Sequence, residues 1–323
     1  MACLICGLLS LLGDGPATPL RFLTGDTFVH DPSTILSENG RYHLFGTGRG
    51  LSTKSSADLV HWTASAPVFV DPPAWTTQLV PEYHGHTWAP DVVRIQNRHF
   101  LYYSVSSFGK QVSAIGLMTS PTLDPKFPTT RWMDAGPVVS STNGSPFNAI
   151  DPSAFLDRDG RLWLAFGSFW KGIHLVQLDP QTGLRRSDDT AVHRLAWHGS
   201  IEAPTLTRHG DFYYLFVNWG RCCQGTNSTY EVRVGRSRSV TGPYLDEQDQ
   251  DLVRGGGKLF LETQGRFIGP GHIGLLEGTT SSDTSVFSYH YYDGESAGRS
   301  RLGLATLRWR DDGWPVVVQA SNP

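Results

Sequence analysis

Long apolar runs are missing from this chain of 323 residues, and no stretch approaches the roughly 20 residues that span a bilayer as a helix. Charge is sparse, at 18% of residues, and 27 Lys and Arg against 30 Asp and Glu are scattered rather than gathered into blocks. Neither the nucleic-acid backbone nor an anionic membrane surface is therefore an expected partner. Cysteine is scarce too. The four residues Cys3, Cys6, Cys222 and Cys223 have no spacing that makes a zinc site. Long helical periodicity and any Pro/Ser-rich or low-complexity linker are also absent, which argues against helical bundles and against two separate domains. With 39% hydrophobic residues the chain is too apolar to stay disordered. A soluble, globular, monomeric all-β protein is the expectation.

The segment Ala2 to Leu12 is short and apolar like the h-region of an export signal, yet no Lys or Arg precedes it and Gly13-Asp14-Gly15 is only a loose cleavage cue. It reads equally as a truncated signal, implying a secreted or periplasmic protein, or as a buried N-terminal strand. Residues 1–20 are accordingly set apart from a single domain over 21–323. The sequons at Asn143 and Asn227 matter only in a source that glycosylates secreted proteins.

What the chain has in quantity is aromatic residues, with 10 Trp, 16 Phe and 11 Tyr. They concentrate in short β-rich runs bounded by Gly, Asn and Asp: 41–46, 99–104, 161–167 and 211–217. Each run follows an x-Pro step, at Asp31-Pro32, Ala89-Pro90, Asp151-Pro152 and Ala203-Pro204, and Gly269-Pro270 precedes a fifth run at 285–292. The prolines lie 58, 62, 52 and 66 positions apart. Self-similarity at this period, with several short strands per unit, predicts a five-bladed β-propeller. The innermost strand of each blade would start near its x-Pro step, so residues beside the five prolines should converge on one axis.

Carboxylates occupy three of those positions: Asp31, Asp151 and, one residue before Ala203-Pro204, Glu202. The second unit offers Asp91 and the fifth His272. A single Asp-Pro usually does no more than start a turn. Three carboxylates phased by a repeat and set among apolar neighbours should instead drive one another's pKa values apart. Glycoside hydrolysis needs that separation, with one carboxylate to activate water and one carboxylic acid kept protonated for the leaving oxygen.

At this point the motifs Val29-His-Asp-Pro-Ser-Thr-Ile35, Thr87-Trp-Ala-Pro-Asp-Val92, Asn148-Ala-Ile-Asp-Pro-Ser153, Gly167-Ser-Phe-Trp170, Ser200-Ile-Glu-Ala-Pro204, Cys222-Cys-Gln-Gly-Thr-Asn-Ser-Thr-Tyr230 and Gly269-Pro-Gly-His272 carry a resemblance. In order and spacing, from about Phe28 to Val317, they are similar to the endo-1,5-α-L-arabinanases of glycoside hydrolase family 43. The resemblance implies an inverting hydrolase of arabinan and arabino-oligosaccharides, with Asp31 as general base, Glu202 as general acid and Asp151 as the carboxylate that tunes the acid. It further implies sugar contacts at His30, Trp88, Phe108, Asn148, Ser168 and Trp170, although a buried Trp is more often core than platform. It also implies that His272 helps hold an ion, usually calcium, in the central channel, with most other ligands supplied by water. Adjacent cysteines fit the family; a disulfide between them needs a strained ring, and free thiols are the alternative. No base is placed by sequence to activate either thiol. Other readings are an exo-acting arabinosidase or β-xylosidase of the same family and a non-catalytic sugar-binding propeller.

Overall fold

The computed structural model describes residues 22–123, 132–279 and 283–318, so the apolar N-terminal segment with Cys3 and Cys6, and Arg131, lie outside the described residues. Five antiparallel sheets follow one another along the chain and form the five blades of a propeller. The first blade contains Leu36–Glu38, Arg41–Gly46, Ser52–Ser56 and His61–Ser65, with Thr24–Gly25 added in parallel at its outer edge. The second runs through His86–Ile95, Arg98–Val105, Ser113–Ser120 and Met133–Ser141, joined by Gly48–Arg49. The third contains Ser153–Leu156, Leu162–Phe166, Ile173–Leu178 and His193–Ala196. Ile201–His209, Phe212–Trp219, Glu231–Ser237 and Lys258–Leu261 make the fourth, and Phe267–Leu275, Thr284–Asp293, Arg299–Trp309 and Pro315–Val318 the fifth. One short helix, Trp75–Leu79, interrupts the connection between the first two blades. Among the described residues no helix is long and apolar enough to cross a membrane.

The aromatic runs make sense once the blades are stacked. Side chains of a strand alternate between its two faces, and here both faces are covered by a neighbouring blade, so the run can be apolar throughout. In the second strand of the second blade, Phe100 and Tyr102 pack with Leu164 and Phe166 of the third blade, while Leu101 and Tyr103 pack with Leu36 and Phe45 of the first. Each of the five apolar clusters is such an interface between consecutive blades, and the fifth joins Val29, Ile35 and Trp62 to Leu302 and Leu304. The ring closes by backbone bonds rather than by a shared blade: Ile35 N–H donates to Leu275 O at 2.9 Å and Leu302 N–H to Thr27 O at 2.8 Å. Packing there is close enough that a Cβ on Gly274 would lie 2.0 Å from Ser33 O.

The x-Pro steps mark a backbone device repeated around the axis. Asp31, Ala89, Asp151 and Ala203 all have positive φ, between 42° and 58°. Each directs its amide to a side chain of the preceding blade: Asp31 N–H to His290 Nδ1 at 3.2 Å, Ala89 to Thr47 Oγ1 at 2.9 Å, Asp151 to Ser104 Oγ at 2.9 Å, and Ala203 to Asp151 Oδ2 at 3.0 Å. Left-handed backbone at a non-glycine residue costs on the order of 1–3 kcal/mol, and these bonds hold it in place. The fifth unit departs from the expected phase. Its counterpart is His272, with φ 52° and its amide donated to Asn218 Oδ1 at 2.9 Å, not Gly269-Pro270. The pairing irregularity around His272, between Gly271 and Gly274, matches those around Ala89 and Ala203 in the second and fourth blades, and a further one between Ile268 and Gly271 separates it from Gly269-Pro270.

Candidate active site

The ring device puts three ionisable side chains, Asp31, Asp151 and His272, at equivalent left-handed positions of three blades, and Glu202 immediately before a fourth. Below them runs a narrow axial channel lined by Pro32, Ser33, Pro90, Asp91, Pro152, Ser153, Pro204, Thr205, His272 and Ile273. The predicted convergence therefore holds for four prolines, with His272-Ile273 taking the place of Pro270.

Asp31 is surrounded by imidazoles. Its Oδ1 lies 2.8 Å from His30 Nδ1 and 3.6 Å from Nδ1 of both His272 and His290. Thr47 Oγ1 donates to its Oδ2 at 2.5 Å while accepting the Ala89 amide. Burial by itself would raise this carboxyl, but the charge and hydrogen bond of His30, aided by His272 and His290, hold it well below the usual carboxylate range. Burial likewise opposes the charged form of His30, and the field and hydrogen bond of Asp31 outweigh it, raising that imidazole to about 10. Asp31 is thus an anion beside an imidazolium.

Glu202 and Asp151 are biased the other way. Burial raises Glu202 and the Asp31 charge adds to the rise, partly offset by hydroxyl donation from Tyr230 to Oε1 at 2.6 Å and from Ser168 to Oε2 at 2.9 Å. Burial and the charges of Glu202 and Asp31 push Asp151 well above its ordinary value, against the single bond it accepts from Ala203 N–H. Because the two carboxyls repel each other, their protons belong to the pair. A carboxylate held ionised beside carboxyls that favour protonation is the separation that acid–base attack on an acetal requires.

The other expected site residues divide. Trp88 is half-buried with its indole N–H on His86 Nδ1 at 2.9 Å, Phe108 is 82% exposed and Trp170 41% exposed. All three keep part of their ring surface accessible. Asn148 and Ser168 are both buried, and their polar atoms serve the protein: Asn148 Oδ1 accepts from Ser113 and Ser168 supports Glu202. Asp91 is structural, its two oxygens accepting the amides of Thr34 and Ala154 and so bridging the first and third blades. Cys222 and Cys223 are free thiols. The loop that carries them brings Cys223 Sγ to 3.8 Å from His30 Nε2, where the Cys222 hydrogen bond first and His30 further overcome burial and lower it to about 5. A cationic partner for the thiol, unseen in the sequence, is therefore present.

Four supporting residues went unassigned in the sequence: Thr47, Tyr230, His290 and Tyr292. Tyr292 accepts the Cys223 amide at 2.6 Å and contacts His30 Nε2 at 2.7 Å, and the His290 ring stacks on His30 with centroids 4.0 Å apart. The one available signal was a histidine inside the aromatic run Ser285–Tyr292, where an apolar residue would pack more cheaply.

A buried, polarised carboxylate set at the axis of a five-bladed propeller defines a glycoside hydrolase by its chemistry, and comparison with known proteins agrees. Residues 24–315 match the model of the glycosyl hydrolases family 43, and the chain belongs to that family. It is 40% identical over 306 residues to the extracellular exo-α-(1→5)-L-arabinofuranosidase of Cellvibrio japonicus, covering 90% of this chain and 86% of that one. It is 37% identical over 322 residues to the extracellular endo-α-(1→5)-L-arabinanase 1 of Bacillus subtilis, covering 97% and 95%. The Cellvibrio cellulosa α-L-arabinanase complexed with arabinohexaose superposes with a TM-score of 0.84 at 37% identity, covering 91% of this chain and 96% of that one.

Proposed function

We propose that this glycoside hydrolase cleaves internal α-1,5-L-arabinofuranosidic bonds of arabinan with inversion. Asp31 takes a proton from the attacking water, the water oxygen bonds to the anomeric carbon from the face opposite the leaving group, and Glu202 gives its proton to the departing oxygen. Asp151 tunes Glu202 as the other half of the coupled pair, the two sharing protons, and positions Ala203 by accepting its amide. This geometry requires the Asp31 and Glu202 carboxyls to stand roughly 6.5–9.5 Å apart. The observation that carries the reading is the opposite bias of the carboxyls, Asp31 held ionised by His30 while Glu202 and Asp151 are raised. The similarity to arabinan-degrading relatives supports the substrate, and their extracellular names support export.

The similarity to an exo-acting relative at 40% identity favours a second reading, removal of units from chain ends. Early products from linear arabinan separate the two. Internal cleavage should give a spread of oligosaccharides and a rapid fall in viscosity, whereas a single short product from the first minutes would establish the exo mode.

A calcium ion in the axial channel is the cofactor that the family implies. His272 lines that channel as its single imidazole, and the nearby Asp91 carboxylate is engaged by two amides, so calcium there would draw nearly all its oxygen ligands from water. The charge of such an ion would temper repulsion among the three carboxylates. His272→Ala should then lower activity or melting temperature and remove the calcium dependence of both. Full activity and an unchanged melting temperature in chelated wild-type enzyme would reject the ion.

A further inference from the structure

We propose that Trp197, with Trp170, is a stacking platform for the segment of an arabinan chain on the leaving-group side of the bond that is cut. The inference rests on the reading of Glu202 as the acid and of arabinan as the substrate. Topology sets the place of the platform. The outer strand of the third blade, His193–Ala196, passes through 197–200 into the inner strand of the fourth, Ile201–His209, so this connection runs from the rim toward the axis on the face where Glu202 stands. The loop 167–172 joins the second and third strands of the third blade on that same face. Ser168 Oγ donates to Glu202 Oε2 at 2.9 Å, Phe169 N–H to Ile201 O at 2.7 Å, and Trp197 Nε1–H to Trp170 O at 3.2 Å. The two indoles therefore follow outward from the acid in an unbroken series of contacts. The leaving oxygen must meet Glu202, and the chain attached to it continues past these rings.

The platform is accessible and stiff. Trp197 is 39% exposed, close to the exposure of Trp170, whereas the neighbouring Trp219 is covered by the His198 ring at 4.0 Å and the Arg233 guanidinium at 4.8 Å. Phe169 and Trp170 have positive φ of 46° and 25°, a costly backbone for residues other than glycine. It is held by Gly172 N–H donating to Phe169 O at 2.6 Å, and Trp197 is anchored by its own N–H on Leu252 O at 2.9 Å. Loop and connection approach so closely that a Cβ on Gly172 would lie 2.1 Å from Ala196 O. Rings fixed in this way lose little freedom on binding. Their faces suit the C–H surface of a neutral furanose unit, and the exposed Arg194 guanidinium, 5.9 Å from the centre of the Trp197 ring, adds donors for its hydroxyls.

Glu202→Gln should bind arabinan without cutting it, so calorimetry on that variant with linear 1,5-arabinan reads affinity apart from chemistry. Adding Trp197→Ala should weaken binding by about three- to tenfold, and Trp197→Phe in its place should restore most of it, because a ring face returns. With Glu202 intact, Trp197→Ala should raise KM for linear arabinan far more than it lowers kcat, and the loss on an aryl arabinofuranoside, whose leaving group is a single ring, should be much smaller. Hydroxyl-radical footprinting of Glu202→Gln reads the contact with the platform unaltered, and so decides even if a Trp197 variant fails to fold: arabinan should protect Trp197 from oxidation. Unchanged affinity in Trp197→Ala, an unprotected Trp197, or equal losses on polymer and aryl substrate would overturn the platform and leave Glu202 as the acid. Linear arabinan that binds neither protein, or that Glu202→Gln still cuts, would refute the underlying reading of substrate or acid, and the leaving-side platform with it.

Discussion

Glu202→Gln should reduce hydrolysis of natural arabinan by about 10²–10⁴-fold, the usual contribution of a general acid. The substitution keeps the shape of the side chain and leaves hydroxyls of Tyr230 and Ser168 to bond the amide, so the loss reads the missing proton rather than a collapsed site. An alkoxide leaving group needs that proton; a nitrophenolate does not. Aryl arabinofuranosides should therefore retain much of their rate. The pH dependence has a definite sign. A group that must be protonated supports activity below its pKa, so the wild-type rate falls as pH rises through the elevated value that burial and the Asp31 charge give Glu202. In Glu202→Gln acting on an aryl substrate that alkaline limb should vanish. Equal losses on both substrate types would move the acid role elsewhere.

Replacing the opposite carboxylate gives a loss of similar size with a different signature. Asp31→Asn should cost about 10²–10⁴-fold on natural and aryl substrates alike, since both need an activated water. Asp31 must be ionised, and His30, His272 and His290 keep it so well below the ordinary range, so it places no acid limb near neutral pH. Its removal also takes away the field and hydrogen bond that raise His30 to about 10, and the imidazole signal should titrate at lower pH in the variant. Azide needs no base. Added to Asp31→Gly with an aryl substrate it should restore turnover and yield the β-arabinofuranosyl azide, and failure of azide to restore any rate would count against the assignment.

Most of the fold could be read from the sequence because the repeat has a physical cause: aromatic runs buried on both faces and x-Pro steps entering each blade. The first four steps lie where the prolines put them. The fifth does not, because proline was only a proxy for the left-handed residue that starts the inner strand, and His272 adopts that conformation without one. The short helix Trp75–Leu79 was missed because five residues carry too little periodicity to register.

Within the site, the three carboxylates were legible because the repeat phased them. Their partners were not. Thr47, Tyr230, His290 and Tyr292 reach Asp31, Glu202 and His30 from three different blades, and no local spacing records a contact made across the axis. Asn148 and Ser168, read from their motifs as sugar contacts, also have partners within the protein that the motifs did not reveal, Asn148 Oδ1 accepting from Ser113 and Ser168 Oγ donating to Glu202.

The claim on which the rest depends is a single displacement between Asp31 and Glu202. Proton NMR of the reducing end released in the first minutes, before mutarotation, tests it directly. The β-arabinofuranose anomer should appear first and equilibrate toward the α form; the α anomer appearing first would mean retention, a covalent intermediate, and different work for these carboxylates.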